Sequence, residues 1–223
     1  VRNSSLFTRA NYEINEDWST YMNASVARVE SFGRYAPVPA TVFIPPNTPN
    51  NRTNAPVFLR HRFDSLGNRD NFVDSQVYEF LVGFEGRIGN FDVDFGARRN
   101  EFKFIELGRN YLVIPIAEQF IARGDYNIFN PRANPANVLN SMKVTINREA
   151  AFEIEELYAT ANVDLFEMNG GVAGLAFGAE YRDEFYQDLY DSLSEGGVVG
   201  GSAGNSAAGG RSVGAAYAEA LFP

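Results

Sequence analysis

Apolar and polar residues alternate along most of this chain, and a period of two marks strands whose faces meet different surroundings. From Leu6 the set Leu6, Thr8, Ala10, Tyr12 and Ile14 is mostly apolar. Ser5, Arg9, Asn11 and Glu13 between them are polar, with Phe7 the exception. Asn15-Glu16-Asp17 reads as a short turn, and Trp18, Thr20, Met22, Ala24 and Val26 then alternate with Ser19, Tyr21, Asn23, Ser25 and Ala27. In mid-chain Tyr78, Phe80, Val82, Phe84 and Ile88 share one face, opposite Glu79, Glu85 and Arg87. Gly89-Asn90 is a two-residue turn that tolerates positive φ. The next strand sets Phe91, Val93, Phe95 and Ala97 against Asp92, Asp94, Arg98 and Asn100. Counting back from the turn places Ile88 opposite Phe91, Phe84 opposite Phe95, and Arg87 opposite Asp92 as an attractive pair. A third hairpin runs through Leu157, Ala159, Ala161, Val163 and Leu165, turns near Met168 to Gly171, and returns through Leu175, Phe177, Ala179 and Tyr181. A seventh strand opens near Gly214 and runs to the end.

The connections sharpen this picture. Short turns near 15–17, 89–90 and 168–171 alternate with long segments that read as irregular, roughly 33–75, 103–150 and 185–212. Strict alternation puts every short turn at one end of the sheet and every long loop at the other. The strands read as about 10–14 residues, against a usual length of about 5–6 in soluble sheets and about 9–11 needed to cross a bilayer obliquely. Tyr12, Trp18, Phe91 and Tyr181 near strand ends suit a membrane–water interface. The expected fold is therefore all-β: an antiparallel up-and-down transmembrane β-barrel segment of about seven strands, with short periplasmic turns and long extracellular loops. A soluble sandwich alternates in the same way and would use the Phe-rich strands as its core. Against it, long structureless loops all on one side are uncommon in compact domains.

Composition removes other classes. With 28 acidic and 19 basic residues the net charge is −9, so nothing offsets the phosphates of a nucleic acid. No cysteine and a single histidine exclude zinc fingers, iron–sulfur clusters and disulfide frameworks. At 45% hydrophobic the chain is too apolar for disorder, yet no stretch approaches the roughly 18 apolar residues of a membrane helix. Val1 to Leu6 already read as strand and Ala216 to Pro223 stop within another, the expectation for a piece of a longer barrel.

Two motifs touch on catalysis. Gly200-x-Ser202-x-Gly204 fits the hydrolase elbow, but that chemistry needs a histidine after the serine, and His61 lies far before it. The glycines of 196–210 lack the Lys-Ser/Thr ending of a phosphate loop, so a surface loop is the simpler reading. An EF-hand-like calcium loop in Asp64 to Asp70 fails at Leu66. Acidic residues cluster at Glu153, Glu155 and Glu156 and again from Glu180 to Asp191. Alternation sends Asp92, Asp94, Asp164 and Glu180 to the polar face, where Arg87, Arg98 and Arg182 offset them. Glu153 and Glu155 fall on the apolar-face parity, which is tolerable only beyond the hydrocarbon zone. No catalytic residue, cofactor or metal ligand is assigned.

Three stretches resemble the TonB-dependent receptors of bacterial outer membranes: Gly83-Phe84-Glu85-Gly86-Arg87-Ile88-Gly89-Asn90-Phe91-Asp92, Gly124-Asp125-Tyr126-Asn127-Ile128-Phe129-Asn130-Pro131, and Ala216 to Pro223. The loop Gly200 to Ala207 is similar to the same large proteobacterial subgroup. The resemblance covers nearly the whole chain, 1–223, but consists of strand patterns and loop phrases. It implies a monomeric 22-stranded barrel in outer-membrane lipid and lipopolysaccharide, filled by a plug and driven through TonB. Such a barrel takes up scarce ligands, whether ferric siderophores, other metal chelates, cobalamin or oligosaccharides. Plug and TonB box have no counterpart in 1–223, so this chain would supply wall and capture loops. A passive porin and a soluble glycan-binding module are the alternatives. Arg34, Tyr35, Arg60, His61, Arg62, Tyr111, Arg123 and Tyr126 combine charge and aromatic surface near predicted loop bases. They are the candidate ligand contacts, through ion pairing and stacking. The simpler reading of the same residues is that they order the loops and meet lipopolysaccharide.

Overall fold

A computed structural model describes residues 1–223. Seven long strands dominate: β1 (Arg2–Glu13), β2 (Trp18–Tyr35), β5 (Arg69–Ile88), β6 (Phe91–Val113), β7 (Lys143–Met168), β8 (Gly171–Tyr190) and β10 (Ala207–Leu221). They pair antiparallel in the order β1-β2-β5-β6-β7-β8-β10. A two-residue strand β9 (Val199–Gly200) adds to β6, while β3 (Pro39–Ile44) and β4 (Val57–Arg62) form a separate hairpin. Three α-helices, α1 (Ile114–Arg123), α2 (Ala136–Met142) and α3 (Ser192–Glu195), and two 3-10 turns, Asp64–Leu66 and Pro131–Ala133, complete the chain. The long sheet is open, with β1 and β10 as its outer strands. No helix is long and apolar enough to cross a membrane.

The central hairpin has the register that its turn requires. Ile88 faces Phe91, Phe84 faces Phe95, and Arg87 binds Asp92 at 3.0 Å, with Gly89 at φ +63°. The strands are longer than the alternation alone implies, because alternation by hydrophobicity stops where both faces become polar while hydrogen bonding continues. β7 has 26 residues and β6 has 23. The seventh strand opens at Ala207, ahead of Gly214, because glycine, alanine and arginine there carry no apolar period. The long connections shrink accordingly to 36–68, 114–142 and 191–206, and they are folded rather than irregular. A register shift between Asp164 and Phe166 makes Leu165 an extra residue, which takes it out of the expected apolar row.

Backbone pairing aligns the two sets of side chains across the sheet. On one face Met22, Val82, Ala97, Leu157, Tyr181 and Gly214 occupy successive strands of a single row. Rows nearer the turns hold Phe84 and Phe95, stacked at 5.5 Å, and Trp18, edge-on to Phe95 at 6.1 Å. No other layer covers this face: Leu157 is 60% exposed and Leu6 67%. The apolar stretch is nine residues on β2 (Trp18–Val26), eleven on β5 (Tyr78–Ile88) and seven on β6 (Phe91–Ala97). Beyond it, toward the long connections, the same face turns ionic. Arg28 pairs with Asp74 at 2.6 Å and Arg99 with Glu155 at 2.9 Å and Glu153 at 3.6 Å. Glu153 and Glu155 thus lie past the apolar stretch of β6 and β7, paired in a charged band that shares its rows with Tyr78 and Phe80 of β5.

The opposite face is polar near the turns. Arg98 meets Glu156 at 3.8 Å, and Glu184 lies between Arg182 at 2.8 Å and Arg211 at 2.6 Å. Tyr21 on β2 and Tyr158 on β7 lean toward each other over Gly83 and Gly96, which share their row.

Candidate functional site

The only contiguous buried core lies at the loop end, where the three long connections fold into a cap. Val42, Ile44, Phe63, Leu66, Leu112, Ile121, Tyr126 and Met142 are almost wholly buried there and pack together. Local sequence explains the pieces. In α1, Ala117 and Ile121 sit one turn apart on the buried side. Pro115 suits the first turn, where its missing N–H is no loss. Gly124 stops the helix at φ +86°, donating its N–H to the Ile121 carbonyl, and Arg123 adds charge of the right sign to the last turn. The hairpin β3/β4 alternates Val42 and Ile44 inward with Phe43 and Phe58 outward, the last two in contact at 5.3 Å.

Asparagines join the connections. Asn50 donates to the carbonyls of Ile121 at 2.6 Å and Tyr126 at 2.8 Å and accepts from the N–H of Ile128 at 3.2 Å. Asn51 donates to the Ala55 carbonyl at 2.8 Å and accepts from Thr53. Both are buried and fully engaged, so they fix the shape of the cap and leave nothing for a ligand.

The structure separates the candidate contacts into four situations. Tyr126 is fully buried, with its hydroxyl 3.1 Å from His61 Nε2, and the two rings pack edge to face beside Phe63. Burial pushes the His61 imidazole below its usual range, opposed in part by Asp64, and pushes the Tyr126 phenol up. Tyr111 is also buried, donating to Asn71 Oδ1 at 2.9 Å. These three build the core of the cap. Arg34 makes a bidentate pair with Asp70 at 2.7 and 2.8 Å, and Arg62 donates to the Pro37 carbonyl. Arg123 pairs with Asp125 at 3.1 Å and lies over Phe120. Tyr35 is exposed beneath Arg69, whose guanidinium also lies over Tyr111. Arg60 is exposed on β4. The eight residues do not converge on one point.

A cleft in the cap does bring chemistry together, and it uses other residues. Between the turn 49–53 and the segment 124–129 opens a cavity of about 600 Å³, with Arg52, Thr53, Asn127 and Phe129 on its walls. Phe129 is 77% exposed. Its place in Ile128-Phe129-Asn130-Pro131 gave no periodic signal, since a lone Phe beside a proline reads as loop. Ser202 lies elsewhere, its hydroxyl 2.9 Å from that of the buried Ser194. That pairing is structural and brings no base to the serine.

Compared with protein-family models, curated proteins and solved structures, the chain gives no match.

Proposed function

We propose that this chain is wall and external cap of an outer-membrane β-barrel that takes up a scarce small molecule, in the manner of the TonB-dependent receptors that its sequence resembles. The observation that carries the reading is the uncovered apolar face. A row from Met22 to Tyr181 runs across strands of one sheet with no layer over it, and beyond it the face turns charged, at Arg99 and Glu155 on β6 and β7 and four residues further along at Arg28 on β2. A soluble sandwich needs a second sheet against that face; lipid serves instead. The stretches of nine and eleven residues on β2 and β5, with their apolar side chains on one face, match the length of about 9–11 residues that oblique crossing needs, and the stretch on β6 is shorter at seven. The ion-paired band of Arg28, Asp74, Arg99 and Glu155 then lies at headgroup level, where lipopolysaccharide supplies further charge. The polar face lines the interior, and the cap faces outward as the capturing end. The open edges of β1 and β10 require further strands to close a barrel. The chain's own role is binding and passage without covalent chemistry, and TonB acts through parts outside it.

The test is refolding with and without vesicles of outer-membrane lipid, followed by flotation. Co-flotation that resists carbonate washing is the expected result. A monodisperse protein that stays in the aqueous fraction without detergent would favour the soluble glycan-binding alternative.

A further inference from the structure

The cleft at 49–53 and 124–129 differs from every other large hollow in its charge. The hollow at the turn end is walled by Glu13, Glu16, Asp17, Glu85, Asp92 and Asp94 against Arg87 alone. The one along β7, β8 and β10 has Glu153, Glu155, Asp183 and Glu184 against Arg211. In the cap cleft Arg52 is the sole charged lining residue. It has no carboxylate partner, whereas Arg123, next in sequence to the lining residue Gly124, is paired with Asp125 at 3.1 Å. The two connections that form the cleft, 36–68 and 114–142, carry five arginines against three carboxylates, a balance of +2 on a chain of −9. A protein this acidic repels anions over most of its surface, and among its large hollows this cleft is the one lined by a cation with no carboxylate.

The rest of the lining narrows the chemistry. Phe129 presents an open ring face, and stacking on an aromatic plate suits a ligand with a flat apolar side. Around the plate stand hydrogen-bonding groups. Asn127, on the cleft wall, uses its Oδ1 to accept from the N–H groups of Phe129 and Asn130, and its Nδ2 makes no hydrogen bond within the protein. The walls are held in place by Asn50 and Asn51, so the site is formed before any ligand arrives. The volume of about 600 Å³ lies within the range of roughly 300–1,000 Å³ for small-molecule sites. One cation, one aromatic face and a polar rim match a pyranose ring that bears a carboxylate.

We propose that this cleft is the capture site of the cap and that it binds an acidic oligosaccharide, with the sugar face on Phe129 and the carboxylate on Arg52. The proposal rests on the reading of the cap as the capturing end, so membrane insertion is measured separately by flotation of the same preparations.

The test is calorimetric titration of the detergent-solubilised chain with trigalacturonate, with maltotriose as the neutral probe, on the parent and on Arg52→Gln and Phe129→Ala. The expected result is binding of trigalacturonate at least tenfold tighter than maltotriose, weakened at least tenfold by either substitution. Loss of discrimination in Arg52→Gln, with residual equal binding of both sugars, would identify the guanidinium as the reader of charge. No binding by a chain that floats normally would overturn the site while leaving the barrel reading intact. Equal binding of both sugars by the parent, or full binding by both variants, would also overturn it. Far-ultraviolet circular dichroism of each variant separates a lost contact from a lost fold.

Discussion

Tyr21 and Tyr158, separated by 137 residues in sequence, meet hydroxyl to hydroxyl across two intervening strands. The contact exists because the row between them is Gly83 and Gly96, which leave the space above their strands for the two rings. Tyr21 also donates to Asp94 at 2.8 Å, so the pair is tied to the acidic part of the polar face. A β-carbon on Gly96 would stand 2.5 Å from the Val82 carbonyl and 2.8 Å from the Tyr158 hydroxyl. One on Gly83 would enter the Tyr21 ring. The same device recurs at Gly178, where a β-carbon would stand 2.6 Å from Tyr217.

Gly83→Ala and Gly96→Ala therefore overfill the tyrosine layer, at a cost of about 1–3 kcal/mol each. Tyr158→Phe loses only the hydroxyl contact, worth about 0.5–1.5 kcal/mol. Urea unfolding followed through Trp18, the single tryptophan, should rank them in that order. Midpoints unchanged by the alanines would show that the layer bears no packing constraint.

Charge placed in the apolar row has a different consequence from charge placed beyond it. Phe84→Arg or Phe95→Arg should block insertion into lipid, since a cation near the bilayer midplane costs about 2–4 kcal/mol. Glu155→Gln, in the ion-paired band, should insert normally. Flotation efficiency of the three variants reads the difference directly, and equal efficiencies would place the bilayer elsewhere.

His61 makes the cap sensitive to acid. Its imidazole is held below the usual range by burial, so the unfolded cap takes up a proton before the folded one. The stability it contributes is complete above the ordinary histidine value of about 6.5 and declines as pH falls from there toward the lower folded value. Protection of the Ile121 and Tyr126 amides from hydrogen exchange, corrected for intrinsic rates, should drop in that window. His61→Phe should flatten the profile. Protection that instead rises on acidification would contradict the sign.

Asn50 joins connections that are far apart in sequence through three hydrogen bonds. Asn50→Ala leaves the Tyr126 carbonyl and the Ile128 N–H without their partner, while the Ile121 carbonyl keeps the Gly124 N–H, and each unpaired buried group costs about 1–3 kcal/mol where water does not replace it. Limited proteolysis should then cut at 124–130 at least several times faster than in the parent, with the long strands still intact. Unchanged cutting would mean that the cleft walls are held by the helix alone.

What the sequence revealed and what it hid divide along physical lines. The hairpin at Gly89-Asn90 was legible because Ile88–Phe91, Phe84–Phe95 and Arg87–Asp92 all demand one register. The upper halves of β6 and β7 were not, since Arg99, Glu101, Lys103, Glu153 and Glu155 break the hydrophobic period while the backbone ladder continues. The cap was hidden for another reason. Its core draws Val42, Phe63, Leu112, Tyr126 and Met142 from separate segments, and none of these segments is periodic over more than a few residues. Tyr126 and Tyr111 therefore looked like loop contacts although packing claims them. Arg52 and Phe129 gave no sequence signal, because partnerlessness is visible only once the partners of the other arginines are known.

The most direct measurement of the central claim is spin-label accessibility in lipid. The chain has no cysteine, so single labels can be introduced cleanly along the paired strands β6 and β7, at Ala97, Leu157 and Ala159 for the apolar face and at Arg98, Tyr158 and Thr160 for the polar one. With vesicle-reconstituted protein, the account predicts a period of two. Labels replacing Ala97, Leu157 and Ala159 should collide with oxygen dissolved in the bilayer. Those replacing Arg98, Tyr158 and Thr160 should collide with a water-soluble nickel chelate. Equal exposure of both sets to the nickel chelate would mean that the apolar face never meets lipid, and the barrel reading would fall.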